Sequence, residues 1–424
     1  MKTAPWIMCG CLSLAVVVTA FGAEKQKPYP HYWMSIATSS QSIPGMPAEM
    51  GGIASLFGGK KMFGPRRELQ LQLESPRVPA DAPKAEHGIP AGQLMGASLP
   101  LTTPAIEKSE YVPPEPGERP EQYEKPKARM LIYWGCGETV GKGQPKVIDT
   151  ATMTPAEFGK AFAGRAPTHQ TPPSPRKDWT YSEWPNKDDR TEIPAESSLV
   201  GSHLVKGNYI PAISFTLDTK RDFMAPVEFS PLQKTTAGAL KIEWKPVPTA
   251  IGYFASAIGH DQDSGESIFW SASEIPEPGF ALQTYLTPGD ITRFIKEKVI
   301  LDPSKTTCAI PPIFKDGQTG MLQFIAYGEE LNLVQPPKPK DPKKRWDIEW
   351  SAKVRLKSTA MMPLMVSEGG DSPRKATSSK KSKKVAEPKE EPTEDSSAGK
   401  EDSGAGSGSP AKEIGNRLRG LFGF

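Results

Sequence analysis

The sequence predicts a mainly β protein: two tandem antiparallel β-sandwich-like domains with short helices, long Pro-rich loops and a disordered C-terminal tail. Three observations carry this expectation. Short stretches of alternating apolar and polar residues recur along the chain, and Glu68 to Glu74 (ELQLQLE) is the strictest of them; period-2 alternation marks a half-buried strand. Of 424 residues, 45 are Pro and 38 are Gly, about a fifth of the chain, against an ordinary share of roughly 12%. From Val366 onward the periodic apolar positions give way to charge and Gly/Ser. The same composition excludes a coiled coil, which cannot hold so much Pro, and collagen, which needs Gly at every third position. A formal net charge of only +3 gives no overall pull toward nucleic acid.

Taken in order, Lys2 and the apolar stretch Ile7 to Val18 read as a secretory signal peptide over residues 1–22, with small residues at Ala20 and Gly22 for cleavage. A lipoprotein site at Met8-Cys9-Gly10-Cys11 is disfavoured because the apolar run continues past Cys11. An N-terminal domain is expected over 31–222. Its strands are His31 to Thr38, the ELQLQLE run with Leu69, Leu71 and Leu73 facing a core, and Met130 to Trp134, whose continuous apolar character suits burial on both faces. A short strand at Lys146 to Asp149 and another at Tyr209 to Leu217 complete it. Ser39 to Gly64 reads as a mobile excursion, residues 76–126 as an extended surface run or linker, and 165–197 as loop. Thr154-Pro155-Ala156-Glu157 has the form of a helix start, with Thr as N-cap and Glu three residues on.

A second domain is expected over 223–365. Leu240 to Trp244 alternates, Gly252 to Ile258 follows a Pro turn, and Ile268 to Trp270, Met321 to Tyr327 and Asp347 to Leu356 supply further strands. Thr287-Pro288-Gly289-Asp290 opens a helix near 288–299. Residues 366–410 lack the apolar surface to offset their ordering entropy and form a disordered charged tail. In the last segment, 411–424, Ile414, Leu418, Leu421 and Phe422 share one helical face that could dock on a partner or an anionic membrane surface.

The stretch LKIEWKPVPTAIGYFASAI, Leu240 to Ile258, is similar to the B and C strands of a fibronectin type III-like β-sandwich. Met321 to Glu329 resembles its F strand and Asp347 to Leu356 its G strand. The resemblance covers residues 230–360. It implies a binding or spacer module, carries no catalytic residue, and is departed from by the helix near 288.

Few residues propose chemistry. Trp179, Tyr181 and Trp184 sit in a polar, Pro-flanked stretch and are candidate ligand-binding aromatics, or else pack back on the sandwich. Asp261, Asp263 and Glu266 resemble half of a calcium loop, with a solvated hairpin tip as the alternative. Cys136 and Cys308 remain after signal removal and form either one disulfide or two buried thiols. The five histidines are scattered without paired spacing. Gly135 to Gly143 only superficially suggests a phosphate loop, since Lys142 precedes Gly and Pro145 argues against a following helix. The basic run Lys338 to Arg345 is a solvated loop or a contact for anionic polymer or lipid. The reading is an exported, non-catalytic binding or assembly protein of the periplasm or cell envelope. Its partner is an envelope protein or polysaccharide, with membrane-surface contact through the C-terminal segment, no nucleic acid and no cofactor. The alternative is a polysaccharide- or polymer-acting hydrolase with unidentified carboxylates.

Overall fold

Alternation in the sequence becomes alternation in burial. A computed structural model describes residues 26–41, 64–104 and 129–364, apart from 155, 158–159, 161–163, 262–263, 315–319 and 342–343. The strands are β1 (His31–Gln41), β2 (Arg66–Ser75), β3 (Ala85–Gly88), β4 (Ser98–Leu101), β5 (Arg129–Trp134), β6 (Lys146–Asp149), β7 (Thr180–Trp184), β8 (Gly201–Gly207), β9 (Ile213–Leu217), β10 (Gln233–Lys234), β11 (Leu240–Glu243), β12 (Gly252–His260), β13 (Ser267–Ser271), β14 (Thr307–Ile310), β15 (Gly320–Gln335) and β16 (Trp350–Leu364), with helix α1 (Pro288–Lys296) between β13 and β14. The protein is mainly β and sandwich-like. A nine-stranded sheet in the order β6-β5-β13-β12-β15-β16-β1-β2-β7 is faced by a three-stranded sheet, β10-β11-β14, and a four-stranded sheet, β4-β3-β8-β9.

Every even-numbered residue of β16 from Trp350 to Leu364 is buried, while its odd-numbered neighbours are not. The inner face of the large sheet packs on both small ones in a single core. Tyr32, Met34, Leu71 and Leu73 meet Leu99, Val205, Ile213 and Phe215 on one side, and Tyr253 and Phe324 meet Ile242, Trp244 and Ile310 on the other. Trp244 stands edge-on to Tyr253 at 5.7 Å between ring centroids and 4.8 Å from Phe324. A second cluster on the outer face seats α1 on β12 and β15, through Phe254, Ile325 and Tyr327 against Leu286, Ile291 and Phe294. Thr287 caps α1: its side chain accepts from the Asp290 N–H. The other expected helix start shows its reciprocal bonds too, with the Glu157 N–H donating to Thr154 Oγ1 and the Thr154 N–H to Glu157 Oε2.

Several sequence expectations need correction. The boundary near residue 222 separates the two small sheets but not the large one, which takes β1, β2, β5, β6 and β7 from before it and β12, β13, β15 and β16 from after it. Two parallel pairings make the join, β1 with β16 and β5 with β13. Residues 76–126 are not only surface run: β3 and β4 belong to the four-stranded sheet, and Pro100 is tolerated because β4 is an edge strand. Residues 165–197 likewise contain β7. On β5, Met130 and Ile132 are buried but Leu131, Tyr133 and Trp134 are only half-buried; Tyr133 packs against the main core and Trp134 against the small cluster around Met130 and Ile132. The signal segment, the 39–64 excursion beyond Gln41, and the tail with its C-terminal segment lie outside the described residues.

Candidate functional site

A sandwich has two seams where its sheets approach, and in the N-terminal half they differ. On one, Thr102 after β4 and Glu183 of β7 exchange both backbone hydrogen bonds, 3.1 and 2.9 Å. On the other, β9 is the edge of the four-stranded sheet. No strand pairs with its outer side among the described residues. Ile213, Phe215 and Leu217 point into the core and Ser214 and Thr216 are exposed. Opposite lies the far end of the β15–β16 hairpin, where the Glu349 N–H donates to the Gln335 carbonyl (2.7 Å), the Trp346 indole N–H to the Pro336 carbonyl (2.8 Å) and the Ser351 N–H to the Pro30 carbonyl (3.0 Å). These bonds fix one wall; between it and β9 lies an open groove of about 510 Å³, lined by Ser214, Thr216, Leu333, Gln335, Glu349 and Trp350 among others. The lining is mixed polar and apolar and holds one carboxylate, Glu349.

Under the floor of the groove the topology assembles a buried polar chain. The Phe215 ring stacks on His203 at 5.1 Å, and His203 Nε2 lies 2.7 Å from the Leu199 carbonyl. His203 Nδ1 lies 2.9 Å from His87 Nε2, and His87 Nδ1 lies 2.7 Å from the Tyr32 hydroxyl. A carbonyl can only accept, so His203 carries its proton on Nε2. Its Nδ1 then accepts from His87 Nε2–H, and His87 Nδ1 accepts from Tyr32. The neutral chain is satisfied end to end. Burial pushes the His87 pKa well below its usual range, helped by His203, and burial lowers that of His203; burial raises that of Tyr32. Nothing in the spacing pointed to this pair, which is 116 residues apart in sequence and meets because β3 and β8 are neighbours.

No protein family matches the chain. No curated protein matches it either. Among solved structures it is similar to the Fcho1 Mu homology domain from Danio rerio, solved with a bound peptide, at 9% identity and a TM-score of 0.23 over 80% of this chain and 98% of that one. A likeness at that score does not establish a shared fold.

The residues singled out in the sequence go to different places. Tyr181 and Trp184 are strand residues of β7, 5% and 1% exposed. Trp184 joins the main core and its indole N–H donates to Asp189 Oδ2 at 2.9 Å. The Tyr181 hydroxyl donates to Glu183 Oε2 at 2.6 Å. These two are therefore not surface aromatics; the apolar area they withdraw from water decides their place. Trp179 is half-buried, stacked on His31 and capped by the Arg176 guanidinium 3.4 Å from its ring centroid. In the hairpin tip, Asp261 Oδ1 accepts from the Ser264 N–H (3.3 Å), and Glu266 pairs with Arg129 instead of turning toward Asp261. Asp263 is outside the described residues, and among those described no three potential ligands converge on a metal position. Cys136 and Cys308 are joined as a disulfide. Beside it the Gly137 N–H donates to the Ala309 carbonyl at 3.0 Å, so the Gly-rich turn is held by β14 and is not a phosphate loop. In the basic run, Arg345 pairs with Asp347 at 2.7 Å. Ile414, Leu418, Leu421 and Phe422 lie outside the described residues.

Proposed function

We propose that this is an exported, non-catalytic binding or assembly protein of the cell envelope, and that the groove along β9 takes an extended segment of a partner protein as an added strand. The observation that carries this reading is the asymmetry of the seams. One is closed by paired backbone bonds, whereas the other leaves the edge of β9 open along a groove of about 510 Å³. An open edge presents N–H and C=O groups in a row, the basis of strand addition. The disulfide supports an oxidising compartment. A hydrolase of the carboxylate-pair type is less well supported, since the groove lining holds Glu349 alone.

The fibronectin type III-like reading of residues 230–360 belongs to the same proposal. A three-stranded layer, β10-β11-β14, facing the run β13-β12-β15-β16 is the order such a module would have, and the Trp244–Tyr253 pair sits between the layers.

Photo-crosslinking in the native envelope tests the groove. A photoreactive residue at Thr216 is expected to give one adduct, mapped by mass spectrometry to an extended partner segment, while the same probe at Val147, 42% exposed on β6 at the far edge of the large sheet, gives none. Equal labelling from both positions, or an adduct mapped to a carbohydrate, would count against strand addition.

A further inference from the structure

The outer face of the large sheet carries a second feature, on the opposite side of β16 from the groove-lining Trp350. The odd-numbered residues of β16 place Lys353, Arg355 and Lys357 in a row at i, i+2 and i+4. β1 lies on one side and contributes Trp33 and Ser35; the approach to α1 lies on the other and contributes Tyr285. The Arg355 guanidinium sits between two rings, 4.8 Å from the Trp33 centroid and 4.4 Å from that of Tyr285. Lys357 Nζ is 4.6 Å from the same Tyr285 ring, and Lys353 Nζ is 5.1 Å from Trp33.

The hydrogen bonds account for only part of this charge. Lys353 Nζ donates to Glu330 Oε1 at 2.6 Å. Arg355 uses Nε, donating to Ser35 Oγ at 2.8 Å. Its two terminal amino groups and the Lys357 ammonium have no acceptor among the described residues, although both side chains are half-buried. The carboxylates whose fields reach them are Glu330 toward Arg355 and Glu68 toward Lys357, so three cations face two anions. Burial lowers the pKa of both Arg355 and Lys357 against the pull of those carboxylates.

A planar fork with its outer donors unused, held rigid between two rings beside a second cation, is the arrangement that recognises an oxyanion. A phosphate group suits it better than a carboxylate. Its three free oxygens can meet the Arg355 fork and the Lys357 ammonium together, and its charge of −1.5 to −2 at neutral pH (for a monoester) matches two cations. We propose that Arg355 and Lys357, walled by Trp33 and Tyr285, form a phosphate-binding site, filled either by free phosphate or by a lipid headgroup.

The test uses the full chain. Thermal melts with inorganic phosphate, at ionic strength matched with chloride, are expected to show a saturable rise in Tm for the wild type and for Lys142→Gln, an exposed lysine far from the site. Arg355→Gln and Lys357→Gln are each expected to weaken the apparent affinity about tenfold or more. Arg355→Lys keeps the charge and loses the fork, and is expected to weaken it several-fold even where Arg355→Gln folds poorly. Co-sedimentation with phosphatidic acid, a monoester lipid, against phosphatidylcholine vesicles separates the sources. Phosphatidic acid binding lost in Arg355→Lys assigns the headgroup, and saturable phosphate binding without sedimentation assigns free phosphate. A Tm response no larger than that of chloride together with no vesicle binding, or equal binding by wild type, Arg355→Lys and Lys357→Gln, overturns the site.

Discussion

His87 and His203 stay neutral in the fold because burial disfavours their charged forms; a proton added to His203 Nδ1 would also face the His87 Nε2–H donor, and one added to His87 Nδ1 would take away the acceptor of the Tyr32 hydroxyl. Their folded pKa values lie below the ordinary 6.5. Above about pH 6.5 both are neutral in folded and unfolded chains alike and do not tilt the balance. As pH falls through that value the unfolded chain takes up protons that the fold refuses. Stability should then drop by up to about 1.4 kcal/mol per pH unit for each histidine. Urea denaturation at pH 7.5 and pH 5.5 measures the slope, and a slope that His87→Gln leaves untouched would refute the assignment. Trp184 is the second residue whose environment overrules its sequence context. Trp184→Ala should cost roughly 3–5 kcal/mol, read as a shift of the denaturation midpoint, whereas Trp179→Ala, losing mainly its contact with Arg176, should cost about 1 kcal/mol or less. Similar costs for the two would show that β7 does not separate them.

At the scale of elements, the strands that alternate were legible. β2, β11 and β16 lie where Leu69 to Leu73, Leu240 to Ile242 and Trp350 to Leu356 put them, because period 2 is a local property of the chain. β3, β4 and β7 were not, because each is short and their neighbours are Pro-rich. What makes them strands is the partner that arrives from elsewhere, β8 for β3 and β2 for β7. The same reason hid the groove, whose walls are brought together only by tertiary structure, and the Arg355 site, whose cations and two rings come from three separate stretches. Turns place their own demands. Gly279 adopts φ 79°, and a Cβ there would meet the Phe254 ring at 2.6 Å, so Gly279→Ala should destabilise the α1 layer by roughly 1–3 kcal/mol. Thr287→Ala, which removes the cap of α1, should cost about 1 kcal/mol. Both are measurable by denaturation, and a neutral Gly279→Ala would mean that the turn shifts freely.

For the whole molecule, the Cys136–Cys308 disulfide ties the turn after β5 to β14 and so joins the large sheet to the three-stranded one across 172 residues. Closing so long a loop removes on the order of 5 kcal/mol of unfolded-chain entropy in the idealised account. The Cys136→Ala/Cys308→Ala variant should melt several degrees lower while keeping its far-UV spectrum; an unchanged Tm would mean that the seam holds without the bond. Sequence allowed this pairing but also two buried thiols, since proximity is a property of the fold.

β1 pairs in parallel with β16 from His31 against Ser351 to Gln41 against Met361, and each lies at the heart of the nine-stranded sheet. The middle of the molecule is therefore written at the two ends of its described sequence. A chain emerging in order from a ribosome or a translocation pore can build the β3–β4 and β8–β9 ribbons early. Its central strands must wait until residue 361 has been delivered, and pairing over such separations is slow. During that interval the long backbone edge of β1 that pairs with β16 has no partner, a row of open N–H and C=O groups that the chain must carry until its last long strand arrives.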